Sequence, residues 1–316
     1  MLFARLSARE GAAILTRRLV LVTGKGGVGK TTIAAALALI RAQAGQRVLC
    51  AEISPDAASP SALATALGNR RLGEEPRTVA GSVDAVLLTP TMGHRRFLQE
   101  HLPLKVLADA AMRSSALRKF FQAAPGLSDM GVMYRMLDLF RRKRSDGRPE
   151  YEACVVDAPA TGHALALAQI PELLLRLIPA GPIGRAAREG LAILTDPSMT
   201  GAVVVTLPET LPITEALELC EGLTRHRVPI AAVVVNRVPV DPFTDAERKA
   251  VKQLLQDTAR VQGAHELQRI VRARAAVELL RKSAPAPVIE VPENADVGES
   301  VARAVGQSLG EVWRSR

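Results

Sequence analysis

Residues 24–31 read Gly-Lys-Gly-Gly-Val-Gly-Lys-Thr. Glycines at 24, 26, 27 and 29 let a backbone loop curl until several N–H groups face one anion. The spacing is G-x-x-x-x-G-K-[ST], the pattern that cradles nucleotide phosphates. The expected chemistry follows residue by residue. Backbone N–H groups of Gly26, Gly27, Val28 and Gly29 meet the phosphates, and the Lys30 ammonium holds the β- and γ-phosphates. The Thr31 hydroxyl binds Mg²⁺, and Thr32 belongs to the same binding turn. A helix opening at Lys30 adds favourable dipole charge. Lys25 has no part in that single-site chemistry, because a cation so early in the loop points away from its own phosphates.

The loop needs a strand before it and a helix after it. "RLVLVTG" (18–24) reads as a buried strand, and "KTTIAAALALIRAQAG" (30–45) as a helix ended by Gly45. Further strands are expected at 47–53, 83–89, 152–159, 201–209, 230–238 and 286–293, mostly separated by helices. Such alternation implies an α/β fold, a doubly wound, mainly parallel sheet with helices on both faces. Residues 91–148 break the alternation, with helical periodicity and no strand. They read as a helical insert carrying Leu102, Val106, Leu107, Phe120 and Phe121, on a core of residues 17–90 and 149–316. Residues 1–16 read as an N-terminal extension.

Composition agrees. The 316 residues are 48% hydrophobic but only 3% aromatic, so the core must be aliphatic, as buried parallel strands require. A formal net charge of +9 favours anionic partners. Cys50, Cys154 and Cys220 are dispersed through apolar stretches, which argues for core thiols and against a disulfide framework or a zinc site. No apolar run approaches the roughly 20 residues a bilayer demands, and "MLFARLSAREGAAILTRR" lacks the apolar segment of a signal peptide. A cytoplasmic location is expected.

The second lysine places the loop in a family. K-G-G-x-G-K-[ST] resembles the deviant Walker A loop of the dimeric P-loop ATPases that include the ArsA, ParA and MinD families. In those families the extra lysine reaches across a dimer interface to the partner's nucleotide, somewhat like an arginine finger. The resemblance therefore implies a face-to-face dimer, ATP and Mg²⁺ as ligands, and Lys25 as a catalytic group in trans.

Later motifs favour the ArsA and tail-anchored-protein targeting branch. "DAPATGHALALAQIP" (157–171) resembles that branch's switch II, with Asp157 at a strand end, then Thr161, Gly162 and His163. Asp157 suits the ordering of a Mg²⁺ water shell, and the glycine suits a loop that refolds when the γ-phosphate leaves. The resemblance carries over Glu209 as a nucleotide contact and Pro292 as a residue near the base. Asn236, in "VVVNRV", matches the adenine contact, and an amide offers both the donor and the acceptor that adenine needs. The branch is an ATP hydrolase that uses nucleotide binding as a conformational switch for a client or partner protein.

The sequence departs from the branch at switch I. The family reads D-P-A-H there and its Asp positions the attacking water. Here the stretch is "AEISPDAASPS" (51–61), so Ser54 stands in the Asp position, and Asp56, two residues on, is the candidate catalytic carboxylate that a rearranged loop would bring to the water. Serine is a poor base at neutral pH. Glu52-Ile53 resembles bacterial ArsA-like chains that occur as non-identical pairs. Two readings stay open: a homodimeric ATPase, or a hydrolysis-poor subunit of a heterodimer with a paralogous ATPase. A ParA-like DNA binder is disfavoured by Thr-Gly-His and by the insert. Residues 299–313, with Val301, Val305, Leu309 and Val312 on one face, read as a helix that closes the domain rather than as a MinD-like membrane binder. Nucleic acid is not an expected partner.

Met130, Met133, Met136, Leu137 and Phe140 recur at helical spacing within the insert. They form either the insert's own packing or a groove for an apolar client helix, since methionine-rich surfaces bind such helices promiscuously.

Overall fold

A computed structural model describes residues 16–69, 71–101, 114, 126–257, 264–294 and 299–314. Its centre is an eight-stranded sheet. In chain order the strands are β1 (Leu19–Gly24), β2 (Val48–Ile53), β3 (Arg77–Ala80), β4 (Val83–Leu88), β5 (Ala153–Ala160), β6 (Thr200–Thr206), β7 (Ile230–Val238) and β8 (Val288–Pro292). Their spatial order is β3-β4-β2-β5-β1-β6-β7-β8. All neighbours run parallel except β3 and β4, an antiparallel pair that finishes one edge.

The strands are runs of Val, Leu, Ala and Ile because both faces are covered. One face meets α1 (Lys30–Gln43), α2 (Ala62–Ala66) and α10 (Glu299–Arg314). Ile33, Leu37, Leu63, Val305 and Leu309 pack there against Val20, Val22 and Val155. Helix α10 thus turns its apolar face onto α1 and closes the core; Val312 lies outside the residues whose side chains are described. The other face meets α4 (Leu127–Arg141), α5 (Thr161–Leu177), α6 (Gly181–Thr195), α7 (Thr210–Arg225) and α9 (Ala264–Ser283). Helices α3 (Pro90–His101) and α8 (Asp245–Asp257) complete the described chain. All three cysteines are buried as free thiols.

Strand ends fall within three residues of the expected ones, the largest difference being the strand expected to reach 209, which ends at Thr206. The β3 strand and the five-residue α2 were not expected, being short and lacking an apolar period. Helix α4 is the larger difference. Val132, Leu139 and Phe140 join the sheet's own core with Leu19, Val86 and Val156, while Met130, Met133 and Leu137 pack on Ile170, Leu174 and Ala187. The methionine stripe is therefore core packing among the described residues, not an open groove. Spacing identified the apolar face but not what would cover it. The expected apolar residues Leu102, Val106, Leu107, Phe120 and Phe121, and the extension 1–15, lie outside the described residues.

Candidate nucleotide site

The carboxyl ends of β1, β2, β5, β6 and β7 converge on the loop 24–31, as parallel α/β sheets place their ligand sites. Gly27 and Gly29 take positive φ of 83° and 93°, so backbone N–H groups turn inward where an L side chain would be strained. Gly29 has a second constraint: a Cβ there would stand 2.2 Å from the Asn236 Nδ2. That closeness exists because Asn236 Nδ2 donates to the Val28 carbonyl at 2.9 Å. Asn236 is buried at the end of β7, and its amide joins that strand to the loop.

The two lysines part company. Lys30 Nζ folds back and donates to the Lys25 carbonyl at 3.0 Å, inside its own loop. Burial lowers its pKa and Asp157 partly offsets that. Lys25 leaves the loop: its ammonium pairs with Glu215 on α7 and its side chain is 42% exposed. The other Glu215 oxygen, Oε2, is buried without a hydrogen-bond partner.

Thr31 Oγ1 donates to Asp157 Oδ2 at 2.6 Å, joining the first turn of α1 to β5. Asp157 Oδ1 is buried and unpartnered. Strand register sets Asp157 beside Val22 on β1 and Glu52 on β2. Burial pushes its pKa up to about 6; the Thr31 hydrogen bond lowers it, the Glu52 charge raises it and Lys30 lowers it. The Thr31 hydroxyl and the orphaned Asp157 oxygen are the hard oxygen ligands that Mg²⁺ takes, and the Lys30 ammonium beside them suits the phosphate such an ion would sit on, so these residues fit Mg²⁺.

Switch I is drawn in on itself. Ser54 is buried and its hydroxyl donates to the Asp56 carbonyl at 2.7 Å. Asp56 Oδ1 accepts from the Ala58 and Ser59 N–H groups, both at 2.8 Å, and from the Ser59 hydroxyl. Those bonds hold its carboxyl below the usual range. Asp56 thus closes its own turn. Glu52 is the residue the motif reading did not assign. Its carboxylate accepts from the Ser61 hydroxyl and from the Ala62 and Leu63 N–H groups, tying both ends of the switch I loop together. Only the partner nine residues away, a Ser preceding an apolar helix, hinted at this cap.

Thr161 opens α5 directly after β5; the side chains of Thr161, Gly162 and His163 lie outside the described residues. Glu209 is the exposed residue before α7, and Pro292 is the partly buried last residue of β8, paired with Val238.

The model of the anion-transporting ATPase (ArsA ATPase) family matches residues 17–179 and 185–270. The chain belongs to this family. Similar proteins within reach of this membership include ATPase BagA of Mycobacterium tuberculosis H37Rv, 34% identical over 225 residues, covering 70% of this chain and 65% of that protein. The match thus spans just under two thirds of that relative's length. A putative arsenical pump-driving ATPase 2 of Aquifex aeolicus is 26% identical, covering 74% of this chain and 86% of the relative. ATPase GET3 of Lachancea thermotolerans is 23% identical, covering 75% and 76%. The ArsA ATPase membership agrees with the resemblance read from the loop, the Thr-Gly-His motif and Asn236.

Proposed function

We propose that the chain is an ATPase that binds ATP·Mg²⁺ and closes face to face with a second subunit, using ATP binding and hydrolysis as a conformational switch for a client or partner protein. The observation that carries this reading is the divergence of the two lysines. Lys30 turns into its own loop, whereas Lys25 turns out of it. A cation that leaves its own phosphate cradle is suited to another subunit's nucleotide.

In this reading the N–H groups of residues 26–30 and the Lys30 ammonium hold the β- and γ-phosphates, with Thr32 in the same turn. Thr31 and Asp157 Oδ1 would hold Mg²⁺ and its hydration, and the bound ion would supply positive charge against the phosphate oxygens. Asn236 Oδ1 faces the base, since its Nδ2 is engaged by Val28. Glu209 and Pro292 flank the nucleotide. Water adds to the γ-phosphorus as the bond to the β–γ bridging oxygen breaks, its proton passes to a phosphate oxygen, and ADP and inorganic phosphate leave. Lys25 of the partner subunit meets the charge that grows on the bridging and γ oxygens. Loss of the γ-phosphate is read by residues 161–163 and by the loop 54–61. A cytoplasmic location fits, and no helix among the described residues is long and apolar enough to cross a membrane.

A second reading has its own support. Ser54 stands where the branch has Asp, and Asp56 spends one oxygen on its own turn. A hydrolysis-poor subunit paired with a paralogous ATPase would look like this. Steady-state hydrolysis by the purified chain and by Lys25→Ala, with oligomeric state recorded with and without ATP·Mg²⁺, tests both. The first reading expects turnover and an ATP-driven dimer, with turnover lost at least a hundredfold in Lys25→Ala while ATP still binds. ATP binding without turnover would move the chain to the second reading.

A further inference from the structure

Strand alternation puts the site residues on one face of the sheet and their neighbours on the other. Asp157 faces α1, and Ala158 faces the helices on the far side. On that far side, beneath α5, lies a cavity of about 50 Å³. Thr23, Ile53 and Ala158 line it, and each is the chain neighbour of a site residue: Gly24, Ser54 and Asp157. Met133 and Met136 form the wall on α4. Met136 and Val156 also line a second cavity of about 10 Å³.

The walls are apolar except for Thr23. Thr23 is 2% exposed, and its hydroxyl has no hydrogen-bond partner. A buried water needs two to four polar partners, and this space offers one. The volume suits on the order of four non-hydrogen atoms, judged from the space one water takes. An occupant that is mostly carbon and carries one hydroxyl or carbonyl answers both features.

We propose that this cavity binds a small, largely apolar molecule with a single hydrogen-bonding group, held by Thr23, and that its occupancy is coupled to nucleotide affinity. The coupling follows from the wall. A ligand there props Thr23 on β1, Ile53 on β2 and Ala158 on β5, whose chain neighbours are Gly24 of the phosphate loop, Ser54 of switch I and Asp157. It is independent of whether the chain acts as a homodimer or a heterodimer.

The probe is 2-propanol, with xenon as an apolar comparator of similar size. Chains carrying ¹³C-methyl methionine are titrated and the Met133 and Met136 signals followed. Saturable shifts at these two methyls, and not at the remaining methionines, are expected with both probes. Thr23→Val keeps the shape and removes the hydroxyl, so it should weaken 2-propanol at least fivefold and leave xenon unchanged. ATP affinity of the wild-type chain should change about fivefold at saturating 2-propanol, and by less than twofold in Ala168→Leu, which fills the space from α5. If Ala168→Leu does not fold, the Thr23→Val comparison carries the test. Absence of saturable shifts at Met133 and Met136, equal 2-propanol binding in Thr23→Val, or an ATP affinity indifferent to the probe would each overturn the proposal.

Discussion

Asp157 is held in the folded chain at a cost. Its pKa rises from the ordinary 3.8 to about 6, mainly by burial. A carboxyl whose folded pKa is raised loses stability as pH climbs through the interval between the two values, because the folded state binds its proton more tightly. Asp157→Asn removes that penalty. Without nucleotide, it should raise Tm by about 2–4 °C at pH 8 and by clearly less at pH 5, where the wild-type group is already protonated. The same variant should lose ATP hydrolysis. Calorimetry at the two pH values checks the first half; a Tm gain that is equal at both would contradict it. Glu215 invites a second substitution. Glu215→Gln takes the charge from the partner of Lys25, and less ATP should then be needed to drive pairing of chains, by about threefold, as seen in sedimentation at graded ATP. An unchanged ATP requirement would remove Glu215 from the account. Lys30, Thr31, Asp157 and Asn236, which the structure brings together around the loop 24–31, could be singled out in the sequence because each sits in a local pattern. Glu52 and Glu215 could not be, since one caps a helix it does not belong to and the other meets a lysine 190 residues away.

At the scale of elements, the sheet was legible for a similar reason: buried parallel strands are short aliphatic runs bounded by turns. What covers each face was not. Period-3.6 patterning marked the apolar side of α4 but gave no sign that α5, α6 and the sheet would bury it. The pairing of α3 with α4 shows why. Gly93 and Gly131 face one another so closely that a Cβ on Gly93 would lie 1.7 Å from the Gly131 carbonyl oxygen. Two helices meet there backbone to backbone, a contact that depends on two single residues lying far apart in the chain. Gly93→Ala must separate them, at a cost of about 2–4 kcal/mol in line with other overpacked cores. Denaturant unfolding should show that loss, together with weaker anchoring of Arg135, whose guanidinium ties α4 to Glu75 while pairing with Asp138 on its own helix. A Gly93→Ala chain as stable as wild type would mean that the helices meet differently.

For the whole molecule, the layout is a sheet with nucleotide chemistry at its carboxyl edge, a close-packed α1 face, and an opposite face that retains a void under the helix following Asp157. In the proposed pair, one subunit's Lys25 completes another subunit's site. Mixing two disabled chains tests it most directly. Lys25→Ala keeps its own nucleotide site but lacks the lysine it would lend, while Asp157→Asn keeps the lysine but lacks the chemistry. Each alone should hydrolyse ATP at under about one hundredth of the wild-type rate. Mixed in equal amounts and allowed to exchange, they should recover about a quarter of it, because half the symmetric pairs are mixed and each mixed pair has one working site. A mixture that stays at the level of its separate components, while mixed pairs are seen to form, would contradict a lysine acting in trans.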